Sequence, residues 1–304
     1  MKIAYLGTSA FAADVLERLA SSRHEVVLVV SQPDRPSGRG RRLTTPPAVE
    51  KARELGLGLA QLESVNGEAG YAPIAAARPE AGVVCAFGQL IGEPLLSSLE
   101  LLNVHPSALP RWRGAAPIER AILEGDETTA AMIMRLVREL DAGPVALSAT
   151  TEIDSREDFA SLSARLAALG AELLIEALDR LERGDLELTA QEEVGVTYAA
   201  KLGREDRLLD TGEPASALDR RVRALHPHIG AQLALASGDR LGVLKARPWQ
   251  WAGAAPSGEL AVIDGALVLG TVAGGLELLT VRPPGKREMN AADFLRGREI
   301  PALA

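Results

Sequence analysis

Apolar residues in the first part of the chain fall into two kinds of run. Ile3–Leu6, Val26–Val30, Gly82–Ala86, Leu101–Val104 and Met132–Leu136 are short and nearly continuous, the pattern of strands buried on both faces. Between them, Ala10–Ala20 carries Phe11, Val15, Leu16 and Leu19 at helical spacing. Ala48–Leu55 reads as a second helix and Arg156–Leu181 as a long amphipathic one. Buried strands separated by helices predict a parallel sheet covered on both faces. Residues 1–190 are therefore read as a Rossmann-like α/β domain.

The pattern then changes. Residues 191–212 are polar and charged and read as a linker, followed by a short helix over Pro214–Leu225. Short strands are predicted at Gln232–Ala236, Leu241–Arg247, Glu259–Ile263, Ala266–Leu269 and Leu276–Val281. Turn signals such as Ser237-Gly238-Asp239, Asp264-Gly265 and Gly274-Gly275 separate them. Five short strands in so little chain predict a small barrel of the OB type over residues 213–304.

Composition narrows the setting. With 47% hydrophobic but only 3% aromatic residues, the cores must be built from Leu, Val, Ile and Ala. No apolar run approaches the ~20 residues that span a bilayer. Met1–Leu6 reads as a first strand rather than a leader, and the single cysteine, Cys85, allows no internal disulfide. A cytoplasmic protein is expected. The net charge of −8 argues against steering a polyanion by a global field. Residues 1–209 hold 22 Lys and Arg against 31 Asp and Glu, and residues 210–304 hold 11 against 10. Within the acidic part, Arg35, Arg39, Arg41 and Arg42 cluster beside only Asp34, so any nucleic acid must be met by local patches.

The first strand runs into Gly7-Thr8-Ser9-Ala10-Phe11, without the glycines that let a backbone approach a pyrophosphate, which disfavours a dinucleotide. Chemistry concentrates instead at Asn103–Pro117, which starts where a predicted strand ends, the edge at which open α/β sheets hold ligands. Asn103 and His105, two apart, leave an extended backbone on the same side, and Pro106 ends the strand. An amide donor beside an imidazole suits an oxyanion or proton traffic at a carbonyl. Asp141, before a Gly-Pro turn after another strand, can orient His105 as the acid of a triad does. Taken singly, each of the three reads as an ordinary loop residue. Together, at the ends of two strands, they leave the structural and the catalytic readings in balance. Ser107 and Cys85 lack a base at a recognisable spacing. His226-x-His228 surrounds Pro227 and reads as a turn, so no metal is expected.

A resemblance tips that balance. Asn103-x-His105 followed by Ser107-Ala108-Leu109-Pro110-Arg111-Trp112-Arg113-Gly114 resembles the folate-dependent formyltransferases, which carry Asn-x-His and a Ser-Leu-Leu-Pro-x-x-x-Gly motif. Pro110–Ile118 and Gln32–Gly40 are similar to the branch that formylates initiator Met-tRNA, the second segment resembling the loop by which that branch grips its tRNA. Ala108 departs from the usual Leu and Leu140 from a common Met. Arg223–Gly230 lacks the Trp-Pro pair frequent in the C-terminal domain.

The resemblance implies a catalytic set of Asn103, His105 and Asp141, with 10-formyltetrahydrofolate as co-substrate. It places the folate along Val84, Phe87, Gly88, Gln89 and Leu90, with Ser107, Leu109 and Pro110 beside it. It implies tRNA contacts from Arg35, Arg39, Arg41 and Arg42, and from Arg204 and Arg207, with initiator Met-tRNA as partner and a monomer as the default. A sugar-nucleotide N-formyltransferase and a formyltetrahydrofolate hydrolase would share the Asn, His and Asp core. Neither needs the arginine loop together with the barrel.

Overall fold

A computed structural model describes residues 1–37, 42–249, 255–297 and 299–304. The chain forms two compact units. The first comprises Met1–Pro117, Thr128–Glu152 and Ser163–Ala200, and the second Ile118–Glu127, Ile153–Leu162 and Lys201–Ala304.

The first unit is built on a seven-stranded sheet. In spatial order its strands are Val145–Glu152, Thr128–Arg135, Leu101–His105, Ala81–Cys85, Lys2–Gly7, Glu25–Ser31 and Leu59–Gln61. The last five are mutually parallel. Thr128–Arg135 runs against them and Val145–Glu152 against it in turn, so the expected parallel sheet carries one reversed strand beside an added edge strand. That edge strand was not visible in the sequence because Val-Ala-Leu-Ser-Ala-Thr-Thr-Glu is only half covered and mixes polar residues in. Leu101–His105 lies inside the sheet and is buried along its whole length. Helix Ala10–Ala20 starts from Ser9, whose Oγ accepts from the Ala12 N–H at 3.3 Å, and buries Phe11, Val15, Leu16 and Leu19. The long helix Phe159–Arg183 passes so close to the Leu101–His105 strand that a Cβ on Gly170 would lie 2.7 Å from Val104 Cγ1. In the arginine-rich segment, Arg35–Ser37 pairs antiparallel with Arg42–Thr44.

The second unit holds an antiparallel sheet in the order Ala231–Ala234, Arg240–Pro248, Gly275–Arg282, Ala266–Gly270, Leu260–Ile263, with Met289–Asn290 also on Gly275–Arg282. These strands lie within two residues of the expected ones. Its core gathers Leu218, Val222 and Leu225 of helix Ala215–Leu225 with Leu241, Val243, Leu267, Leu269, Leu276, Leu278 and Val281. Two earlier pieces of the sequence, Ile118–Glu127 and Ile153–Leu162, belong here. Arg220 Nε donates to the Leu123 carbonyl at 3.0 Å, and Arg223 Nη1 to the Glu157 carbonyl at 2.8 Å. His226 Nδ1 lies 2.9 Å from Asp158, and His228 Nε2 lies 3.0 Å from Glu119 while its ring stacks on Phe159. Both histidines of the His-x-His pair thus face carboxylates. Among the described residues no helix is long and apolar enough to cross a membrane.

Candidate active site

Asn103 and His105 sit at the carboxyl end of Leu101–His105, 7% and 3% exposed. Asn103 is register-paired with Val84 on one side and Met134 on the other, and His105 with Met132. The Asn103 side-chain amide has no hydrogen-bond partner among the described residues. Its polar atoms are not among the fully enclosed unpartnered ones, so the amide is open to a ligand. His105 Nε2 is 3.0 Å from the Trp112 carbonyl. A carbonyl only accepts, so Nε2 carries the proton and Nδ1 is the nitrogen turned to Asp141, whose Oδ2 is 3.8 Å away.

Asp141 lies in the turn after Thr128–Arg135, with φ 46°, a left-handed conformation uncommon for a residue with a side chain. Its Oδ2 accepts from the Gly114 N–H at 2.7 Å. Gly143 is needed for the turn to close, because a Cβ there would lie 1.8 Å from the Arg135 carbonyl oxygen. Gly114, at φ 126°, admits only glycine comfortably, and a Cβ would also meet the Ala199 carbonyl at 2.8 Å. Asn103, His105 and Asp141, separate in sequence, therefore converge on one strand end.

Three consecutive residues hold this set. The Trp112 carbonyl binds His105, the Gly114 N–H binds Asp141, and between them Arg113 donates through Nε and Nη2 to Gln191 Oε1 at 3.0 and 2.7 Å. The Trp112 N–H donates to Thr197 Oγ1 at 2.9 Å, and Arg113–Gly114 pairs in parallel with Tyr198–Ala199. Neither Gln191 nor Thr197 stood out in the sequence, since an uncharged amide and a hydroxyl in a polar stretch carry no signal of their own. Ser107 is fully buried and its Oγ donates to the Arg111 carbonyl at 2.7 Å, so it stabilises the turn rather than waiting as a nucleophile.

The expected folate segment is shaped by its neighbours. Val84 and Phe87 are in the core, so what they can offer a ligand is backbone. The Phe87 carbonyl already accepts from Thr8 Oγ1 and Gln32 Nε2. Gln89 spends both ends of its amide on the Val65 N–H and the Leu62 carbonyl. Gly88 has φ 75°, and Leu90 projects with 78% exposure. Leu109 is buried and Pro110 half-buried. Of the expected tRNA contacts, Arg35 and Arg204 are exposed, while Arg207 Nε donates to the Gly230 carbonyl at 3.1 Å. Arg39 and Arg41 and the side chain of Arg42 lie outside the described residues.

Cys85 is fully buried, and burial pushes its thiol up to about 12. Native protein at pH 8 should leave it unmodified by a disulfide-forming reagent, and unfolding should release one reactive thiol. Rapid labelling of the folded protein would contradict this burial.

An amide, an imidazole and a carboxylate gathered at the carboxyl end of a sheet strand suit chemistry at a carbonyl. The family described as Formyl transferase matches residues 1–178, and Formyl transferase, C-terminal domain, matches residues 201–299. The chain belongs to the formyl transferase family. Its similar relatives include the methionyl-tRNA formyltransferase of Halorhodospira halophila, 42% identical over 98% of this chain and 97% of that one. That of Ruegeria pomeroyi is 40% identical over 99% and 98%. Among solved structures, HypX from Aquifex aeolicus in complex with tetrahydrofolic acid gives a TM-score of 0.68 at 21% identity, covering 97% of this chain and 47% of that one. The N-formyltransferase from Helicobacter canadensis, with folinic acid and dTDP-3-aminofucose, gives 0.65 at 12%, covering 91% and 98%. At these identities the two structures speak for the fold alone.

Proposed function

We propose that the chain transfers the formyl group of 10-formyltetrahydrofolate to the α-amino group of methionine on initiator Met-tRNA, the step that prepares this tRNA for translation initiation. The observation that carries this reading is the unpartnered Asn103 amide beside His105 and Asp141, in a chain similar over its whole length to methionyl-tRNA formyltransferases.

The neutral amine attacks the formyl carbon, forming a carbon–nitrogen bond and a tetrahedral oxyanion. Asn103 donates to that oxygen, where a preorganised donor acts most strongly. His105, with Nε2 committed to Trp112, presents Nδ1 to the reaction, and Asp141 compensates the charge of its doubly protonated form. The 3.8 Å separation shortens as substrate closes the site, the usual course for catalytic contacts. The amine's proton passes to N10 as the carbon–N10 bond breaks, leaving formyl-methionyl-tRNA and tetrahydrofolate. The folate lies against the Gly88–Leu90 turn, which presents backbone groups and the exposed Leu90. We read the protein as a cytoplasmic monomer.

The tRNA is met by Arg35, Arg39, Arg41 and Arg42 of the basic segment, and by Arg204 and Arg207. We read the C-terminal antiparallel sheet as an OB-like barrel that carries further contacts. Register shifts around Lys245 in the Arg240–Pro248 strand support that reading, because bulges of this kind bend strands toward closure. Arg39→Leu should raise the KM for tRNA by about tenfold, the scale of one lost phosphate contact, with folate binding intact. A KM equal to wild type would remove Arg39 from the interface.

The function is tested by supplying 10-formyltetrahydrofolate with charged initiator Met-tRNA, charged elongator Met-tRNA or free methionine. Transfer confined to the initiator supports the proposal. Transfer to none of them by folded, folate-binding protein overturns it in favour of a sugar-nucleotide acceptor or hydrolysis of the folate.

A further inference from the structure

We propose that Gln191 is a positioning residue whose amide fixes Asp141 at its working distance from His105. The inference rests on the reading of Asn103, His105 and Asp141 as the reacting set. Gln191 Oε1 accepts twice from the Arg113 guanidinium, and its Nε2 donates to the carbonyls of Asp141 and Gly143 at 2.8 and 2.7 Å. The two sides make opposite demands: a guanidinium only donates, and backbone carbonyls only accept. A side chain bridging them must accept at one end and donate at the other, which a carboxylate or an ammonium cannot do and a primary amide can. The cation at one end also polarises the amide and strengthens its donation at the other.

What Gln191 holds is the part of the site that needs holding. Asp141 sits in a left-handed conformation, and its carboxylate has been turned onto the Gly114 N–H. Gln191 grips the backbone on either side of Ala142, so the turn cannot swing its carboxylate off His105 without breaking two hydrogen bonds. Arg113 stands between the residues that bind His105 and Asp141, so the same brace ties both partners to one short strand. The neighbouring strand supplies a second fastening, since Val145 and Thr189 exchange backbone hydrogen bonds at 2.8 and 2.9 Å just before Gln191. The polar stretch after the long helix is thus the frame of the catalytic turn.

Gln191→Glu separates this role from a merely structural one. Glutamate keeps, and strengthens, the bond to Arg113 but turns an acceptor onto two carbonyls, so stability is retained while the Asp141 turn is released. The expected result is a kcat lowered about 10- to 100-fold, in line with a misplacement of about 1 Å, with both KM values within about twofold of wild type. Combined with Asp141→Asn, Gln191→Glu should add little further loss, because both changes disable one contact. Wild-type kcat in Gln191→Glu, or losses that multiply in the double variant, would overturn the proposal. Gln191→Asn, too short to span both sides, serves as a second variant expected to show the same kcat loss. Nuclear magnetic resonance of the four histidines gives a readout independent of turnover. Gln191→Glu should move the His105 Nδ1 resonance and leave those of His24, His226 and His228 in place. An unmoved His105 resonance overturns the positioning role, whereas a fully active Asp141→Asn overturns the reading of the reacting set.

Discussion

Asn103→Ala should reduce kcat by about 10²–10³ while leaving the KM for folate and the melting temperature close to wild type. The magnitude follows from removing one preorganised donor to an oxyanion. The selectivity follows from the ground state: with no partner for the Asn103 amide among the described residues, its removal breaks no structural hydrogen bond. The substituted methyl falls at the end of a strand whose backbone pairing on both sides is untouched. Steady-state kinetics with thermal unfolding of the same preparation is the check. An unchanged kcat in folded protein would rule the oxyanion role out.

Asp141→Asn carries an effect of similar or greater size, a loss of about 10²–10⁴ in kcat, the range for removing the orienting carboxylate or an acid–base step. The substitution keeps the shape of the turn and can still accept from the Gly114 N–H through the amide oxygen. It removes the charge that compensates His105 when both ring nitrogens carry protons. Single-turnover measurements, which isolate the transfer step from product release, should show the full loss. A rate within a few-fold of wild type would assign Asp141 to the turn alone.

The sequence exposed the parts of this site whose chemistry is in side chains at strand ends. Asn103 and His105 stood out as candidates because an apolar run stops at Pro106 with two polar groups on one side, and the family resemblance, not the pattern, raised them above ordinary loop residues. Asp141 stood out as a candidate in the same way, in a turn marked by the Gly-Pro that follows it. The elements that hold them did not. The proton on His105 Nε2 is fixed by the backbone carbonyl of Trp112, and a carbonyl is common to every residue. Gln191 lies fifty residues along the chain from Asp141 and reaches it through a neutral amide that looks like any surface glutamine. Phe87 and Gln89 were legible in place but not in use. Their carbonyl and side-chain groups are spent on Thr8, Gln32, Leu62 and Val65, which no local pattern announces. In the second unit the strands were legible from their turns. Its two borrowed segments, Ile118–Glu127 and Ile153–Leu162, were not, because their partners lie far along the chain.

Those borrowed segments constrain how the chain can be made. Glu119 is translated 109 residues before His228, and Asp158 68 residues before His226, the side chains that each of them faces. A nascent chain that has completed the catalytic sheet still displays both segments with their mates inside the ribosome. Cutting the gene at Ala200 would freeze that condition permanently. The order of synthesis, rather than any boundary drawn between the units, decides when this protein is finished.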